Sequence, residues 1–184
     1  MPRRATVAII GDGGAAEGTP VYEAARAAGR LAVDRGYRVV SGGLGGVMEA
    51  AFRGARDGAR YQDGDTIAIL PKLDPGRAND WADIAIPTGL GHQRNALVAA
   101  SDAVIAIGGG AGTLCEIAFA WMFGRLVIAI PLSGWARELA DRRLDDKVRF
   151  ATIPEDRIFS AATPEGALEI CALWIERYRG ERQE

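Results

Sequence analysis

The segment Ala103-Val-Ile-Ala-Ile107 runs straight into Gly108-Gly-Gly-Ala-Gly-Thr-Leu-Cys-Glu116, and the reading of that junction decides the fold. An apolar run rich in β-branched residues suits a strand buried on both faces, as in a parallel sheet covered by helices. The glycines turn the chain, and residues 113–123 then have the composition of a helix. A helix that starts there directs free backbone N–H groups and the positive end of its dipole at the crevice beyond the strand end. Such a terminus binds a phosphate or another oxyanion, with Gly109, Gly110, Gly112 and Thr113 as the cradle. No Gly-Lys-Ser/Thr follows, so the loop is not a Walker A loop. Thr113 and Glu116 also have the Thr-x-x-Glu spacing of a capping box, in which they would satisfy each other's backbone amides rather than face a ligand. For Glu116 both readings stand.

The same alternation extends in both directions. Apolar runs at Thr6–Ile10, Arg38–Ser41, Thr66–Leu70, Val127–Ile130 and Ile158–Ser160 read as further strands, and Asp83–Pro87 can add a short one. Helical segments fall at 19–35, 45–58, 91–101, 113–123 and 164–179, the last with Thr163 as N-cap and Pro164 at the first helical position. Trp135–Phe150 is charged and amphipathic and receives no assignment. The expected architecture is a single α/β domain over residues 1–184, a doubly wound, Rossmann-like and mostly parallel sheet of six to seven strands with helices on both faces. In such sheets ligands bind outside the carboxyl ends of the strands, near the switch in strand order.

Glycine marks that edge. The chain has 24 glycines in 184 residues, about 13%, against an average near 7%. Fourteen lie in four clusters: at 11, 13, 14 and 18; at 42, 43, 45 and 46; at 89 and 91; and at 108, 109, 110 and 112. Each cluster ends a strand or precedes a helix, so all four should converge on one edge of the sheet. Gly11-Asp-Gly-Gly-Ala-Ala16 has the form of the dinucleotide fingerprint, but Ser41-Gly42-Gly43 stands where an NAD site needs an acidic residue for the ribose. A nicotinamide site is therefore excluded, and Gly11 is retained as part of a nucleotide edge or tight turn. Gly42, Gly43, Gly45, Gly46 and Met48 form either a tight strand–helix connection or a loop laid flat against a ligand. Arg94 and Asn95 begin a helix beside Gly89 and Gly91, where a guanidinium can clamp a phosphate or order a carboxylate. His92 is a polar residue at that helix start, within reach of a ligand.

Composition removes several classes. The 22 basic residues, 20 Arg with Lys72 and Lys147, are dispersed and balanced by 24 acidic ones. No basic patch favours nucleic acid or a membrane surface. A single histidine cannot build a histidine metal cluster, and no G-x-S-x-G elbow supports Ser-His-Asp chemistry, so no metal site is expected. Cys115 and Cys171 sit far apart in apolar contexts, as buried thiols of a reducing compartment. The apolar run after Met1-Pro-Arg-Arg ends at Gly11, too soon for a signal peptide or membrane span. A cytoplasmic protein is expected. Ile117-Ala-Phe-Ala-Trp-Met-Phe123 is apolar nearly all round, which suits either a helix buried in the core or, the preferred reading, an interface helix of a homodimer or homotetramer.

Together these residues resemble the Lonely-Guy family and its wider superfamily of Rossmann-like nucleotide-binding proteins, some of which carry a lysine decarboxylase label. The hydrolase branch has Pro-Gly-Gly-x-Gly-Thr-x-x-Glu and an upstream Arg-Lys pair; here Gly108 replaces the proline and Asn95 the lysine. The branch of molybdenum cofactor carrier proteins is more similar, through Thr66-Ile-Ala-Ile-Leu-Pro71, Ala78-Asn79, Ile86-Pro-Thr-Gly89, Arg94-Asn95 and Gly108-Gly-Gly-x-Gly-Thr-x-x-Glu116. The resemblance implies one of two activities, with no further cofactor required. One is binding of a purine nucleotide or the pterin phosphate of molybdenum cofactor without turnover. The other is phosphoribohydrolase cleavage of the N-glycosidic bond of a nucleoside 5'-monophosphate, in which Glu116 would steady the positive charge on the ribose and Arg94 would orient it or the phosphate. Lysine decarboxylation is excluded, because neither Lys72 nor Lys147 lies in a recognisable Schiff-base site.

Overall fold

Each apolar run becomes a strand because helices on both sides of the sheet bury both of its faces. In the computed structural model, which describes residues 3–181, the strands are β1 (Thr6–Gly11), β2 (Arg38–Ser41), β3 (Thr66–Leu70), β4 (Ile84–Pro87), β5 (Ala103–Ile107), β6 (Leu126–Ile130) and β7 (Phe159–Ser160). Met1 and Pro2 of the expected N-terminal segment, and residues 182–184, lie outside the described range. The helices are α1 (Pro20–Asp34), α2 (Val47–Arg56), α3 (Asn95–Ala99), α4 (Ala111–Met122), α5 (Gly134–Leu139) and α6 (Pro164–Glu181). The sheet has seven strands in the order β4-β3-β2-β1-β5-β6-β7, every pair parallel. The α/β doubly wound sheet read from the sequence is thus present, with its short strand at 84–87 on one edge.

Alternate residues of each strand feed two cores. Val7, Ile9, Val39, Ala68, Ile105 and Ile128 pack against α1, α2 and α6. Ala8, Ile10, Val40, Val104, Ala106 and Val127 pack against α3, α4 and α5. From β1 the chain departs toward α1, from β5 toward α4, and the two strands are neighbours in register from Val7↔Ala103 to Gly11↔Ile107. The switch in strand order lies between them, so a crevice opens beyond Gly11 and Ile107.

Several local expectations are corrected. Residues 91–101 do not form one helix: Gly91–Arg94 is a 3-10 turn, and α3 follows for five residues. The Gly91 N–H donates to the Pro71 carbonyl at 2.9 Å, which fixes the tight start, and the Ser101 hydroxyl donates to the Val98 carbonyl at 3.0 Å where the helix ends. Helix α4 starts at Ala111, before the expected position 113. Of Trp135–Phe150 only the first part is helical, and its far end is fastened by Arg149. That guanidinium chelates Asp156 at 2.7 and 2.5 Å, donates to the Trp121 carbonyl at 2.7 Å and lies 3.6 Å from the Trp121 ring centroid. At the start of α6, Thr163 caps as expected, its hydroxyl accepting from the Gly166 N–H at 3.2 Å.

Helices α1 and α2 cross with backbone against backbone. A Cβ on Gly29 would fall on the Ala51 carbonyl, and one on Gly54 on the Arg26 carbonyl. Alanine normally stabilises a helix interior by up to about 1 kcal/mol relative to glycine. Here the sign reverses. Gly54→Ala is expected to destabilise the protein by roughly 2–3 kcal/mol in chemical denaturation, whereas Gly180→Ala, in α6 with nothing within 4 Å of the added carbon, should be neutral or slightly stabilising. Equal responses at the two positions would contradict this packing.

Candidate functional site

The crevice beyond β1 and β5 is a cleft of about 240 Å³ lined by Ile10, Gly11, Gly13, Ser41, Met48, His92, Arg94, Asn95, Gly110, Gly112, Thr113 and Glu116. The ends of β1 and β2, the start of α2, the 91–94 turn with Asn95, and the first part of α4 each supply part of its wall. The loop Gly108–Gly110 delivers α4 with Gly110 as N-cap and no side-chain cap hydrogen bond. The first amide in α4 with a helical acceptor is that of Leu114, to the Gly110 carbonyl at 3.0 Å, so the preceding N–H groups have no intrahelical partner. Gly110 and Gly112 have open space where a Cβ would stand, which keeps this first turn accessible.

The capping-box reading of Thr113 and Glu116 is overturned. Helix α4 begins early enough that Thr113 already lies inside its first turn, where its hydroxyl donates instead to the Gly11 carbonyl at 3.1 Å. That bond ties the α4 terminus to the end of β1. Glu116, one turn further on, is 7% exposed and accepts from Nη1 of Arg94, itself 8% exposed, at 3.3 Å. The Arg94 Nε is buried without a hydrogen-bond partner. The guanidinium lies flat on Gly42, where a Cβ would overlap Nη1, Nη2 and Cζ. Asn95 Nδ2 donates to the Gly112 carbonyl at 3.4 Å, and the Ser41 hydroxyl donates to the Ile9 carbonyl at 2.6 Å, each fixing a wall of the cleft.

Both members of the ion pair are pushed toward neutrality. Burial moves the Glu116 carboxyl up to about 7, with the Arg94 charge acting in the opposite direction. Burial likewise lowers Arg94 from its ordinary value, and the Glu116 charge offsets this in part. One long contact does not compensate the loss of water around either ion.

Several expected residues stand elsewhere. Gly109 adopts φ +92° and turns its carbonyl away to accept the Trp135 N–H at 3.0 Å, while Thr113 fills the space at its Cα. Gly42, Gly43, Gly45 and Gly46 do not line the cleft: Gly42 seats Arg94, Gly43 packs on Ala68 and Leu70 of β3, and Gly46 lies against the backbone of Asp12 and Gly13. Asn79 holds this loop, its amide donating to the Gly43 carbonyl at 2.9 Å and its Nδ2 to the Leu44 carbonyl at 2.8 Å. Ile10 and Ser41 escaped the sequence reading because they belong to apolar strands. Their position at a strand's last turn before a glycine was the available signal.

Residues 4–167 match the sequence model of the SLOG cluster4 family. The chain belongs to this family. An uncharacterized protein of Archaeoglobus fulgidus is 42% identical over 125 residues, 67% of this chain and 78% of the relative. The structure of the molybdenum cofactor binding protein of Rippkaea orientalis superposes with a TM-score of 0.74 at 33% identity, covering 94% of this chain and 98% of that one. The Moco carrier protein of Chlamydomonas reinhardtii superposes with a TM-score of 0.75 at 26% identity, covering 95% and 99%. This family membership accords with the Lonely-Guy-like resemblance. Among the described residues no helix is long and apolar enough to cross a membrane, and no group of three or more His, Cys, Asp or Glu could hold a metal ion.

The raised Glu116 carboxyl has a consequence for stability. A group whose folded value lies above its unfolded one stabilises the fold below about pH 4.5 and loses that contribution as pH rises toward 7. The slope from one such group is at most about 1.4 kcal/mol per pH unit. The melting temperature of the wild type should fall between pH 5 and pH 8 more than that of Glu116→Gln. Parallel pH profiles would contradict the buried carboxyl.

Proposed function

We propose that this chain binds a phosphorylated heterocycle, a purine nucleotide or the pterin phosphate of molybdenum cofactor, and releases it unchanged. One observation carries the reading: the uncapped first turn of α4 and a nine-tenths-buried Arg94, whose Nε has no partner, line one cleft. Buried donors without acceptors are costly, and an anion placed between them would satisfy both sets. Gly110, Gly112 and Thr113 offer the amides, Arg94 the guanidinium, Asn95 holds the loop, and Ser41, Met48, His92 and Gly11 surround the remainder. The solved relatives named for molybdenum cofactor binding or carriage support the same class of ligand.

The cleft volume of about 240 Å³ is smaller than the ~300–1,000 Å³ of pockets that enclose a whole drug-sized ligand. The phosphorylated end would therefore be enclosed, with the rest of the heterocycle at the mouth. The hydrolase alternative draws on Glu116 beside Arg94. A carboxyl raised toward neutrality and engaged by a guanidinium is poorly prepared to stabilise positive charge on a ribose, and Gly108 and Asn95 depart from the hydrolase pattern. The exposed Leu97, Met122 and Phe123 beside and at the end of α4 support self-association through that face, as a homodimer or homotetramer. Nucleic acid and membranes form no part of this reading.

Incubation with AMP should release no free base, while AMP or molybdenum cofactor should raise the melting temperature, by an increment equivalent to about 2.7 kcal/mol at 100 times the Kd. Base release that disappears in Glu116→Ala would establish the hydrolase instead. Gly110→Asp, which sets a carboxylate at the uncapped turn, should abolish the stabilisation; unaltered binding would place the anion elsewhere. Gly42→Ala, which displaces Arg94, should keep a cooperative fold and weaken AMP binding about tenfold or more, the equivalent of ~1.4 kcal/mol or more.

A further inference from the structure

An anion site with a carboxyl group in its wall has an internal conflict. If Glu116 stays ionised when a phosphate arrives at Arg94 and the α4 terminus, two like charges face each other across one guanidinium. That repulsion is stronger in a partly buried cleft than in bulk water. Glu116 also competes with the phosphate for Arg94, because its Oε1 already accepts a hydrogen bond from Nη1. A guanidinium that served both partners well would hold Glu116 through two short bonds; here there is one contact of 3.3 Å, and the Nε edge has no partner. Among the described residues Arg94 is the sole hydrogen-bond partner recorded for Glu116, so nothing else holds the carboxyl in its charged form.

The surroundings of Glu116 contain few other groups that could exchange the proton. Of the residues lining the cleft, only His92, Arg94 and Glu116 are titratable or charged. Strands β1, β5 and β6 and helix α3, which pack around α4, contain no ionisable side chain. On α5, Arg137 and Glu138 face each other in solvent at 3.7 Å, and Arg149 is occupied by Asp156 and Trp121 near the far end of α4. Asp12, at the end of β1, is exposed and accepts the Gly14 amide at 2.8 Å. Burial has already brought the Glu116 carboxyl close to its midpoint at neutral pH in the ligand-free site.

We infer that the site takes up a proton together with its phosphorylated ligand, and that Glu116 is the residue that receives it. The inference rests on the cleft being the phosphate site. The proton comes from solvent and forms an O–H bond on the carboxylate; no other covalent bond changes. As a neutral acid Glu116 ceases to compete for Arg94, whose Nη1 is then released to donate to the phosphate. Affinity is therefore highest at acidic to neutral pH and falls as pH rises through the Glu116 transition, with a limiting slope of tenfold per pH unit. A carrier with this device holds its cargo more tightly on the acidic side of neutrality and loosens it on the alkaline side.

The test uses the full chain and two probes. Sulfate stays a dianion across the range, whereas the phosphate of AMP has its own second ionisation near pH 6. Calorimetric titration between pH 6 and pH 9, in buffers of different ionisation enthalpy, should show uptake of up to one proton per sulfate bound near pH 7.5. Glu116→Gln should bind sulfate without uptake and with nearly pH-independent affinity, and His92→Gln should retain the uptake. Carbon-13 observation of the glutamate carboxyls in the wild type, which needs no substitution, should show one transition moving to higher pH on sulfate addition. Anion binding with no proton uptake, or uptake that survives Glu116→Gln and vanishes in His92→Gln, would overturn the inference while leaving the binding site intact. Failure of both sulfate and AMP to bind would overturn the phosphate site itself, and the inference with it.

Discussion

The structure depends on backbone meeting backbone at places where a side chain would hold the elements apart. At the end of β1 a Cβ on Gly11 would fall on the Ile107 carbonyl, so only a glycine lets β1 and β5 stay paired to their last residues. That pairing places the switch in strand order under the first turn of α4, and Thr113 then closes the junction by donating back to Gly11. One layer out, Gly29 and Gly54 let α1 and α2 cross closely enough to cover the same strands. Without these contacts the strand ends would splay and the cleft would have no fixed width.

On this frame the site is built from donors that folding leaves unused. Helix α4 begins without a side-chain cap, and Arg94 is buried with one long ion pair and an idle Nε. Both are unfavourable taken alone, and under the proposed function the same anion relieves both. Glu116 completes the balance. It keeps Arg94 from being an isolated buried charge, yet it is held weakly enough to give way to a ligand. The fold thus leaves hydrogen-bond donors unsatisfied at one edge, which is what the proposed ligand would use.

The strands and the longer helices were legible in the sequence because burial on two faces and helical periodicity are local signals. The passage from Ala103 to Glu116 announced strand, loop and helix, and the glycine clusters announced the edge. What local pattern could not show was which glycines face a ligand and which face another backbone. Gly110 and Gly112 have open space, whereas Gly109, Gly43 and Gly46 make room for Thr113, Ala68 and the Asp12–Gly13 backbone. The Thr-x-x-Glu spacing was misleading for a related reason: a capping box depends on where the helix begins, and α4 begins ahead of Thr113. The contact between Arg94 and Glu116, separated by 22 residues, follows from strand order alone.

The central claim is that the uncapped turn of α4, with Arg94 and Glu116, is where this protein holds an anion. Diffraction from crystals soaked in selenate, recorded at the selenium edge, tests this directly. The account predicts one anomalous peak per chain within hydrogen-bonding distance of the Gly112 and Thr113 amides and the Arg94 guanidinium. A peak elsewhere on the molecule, with the cleft empty at the same selenate concentration, would contradict it.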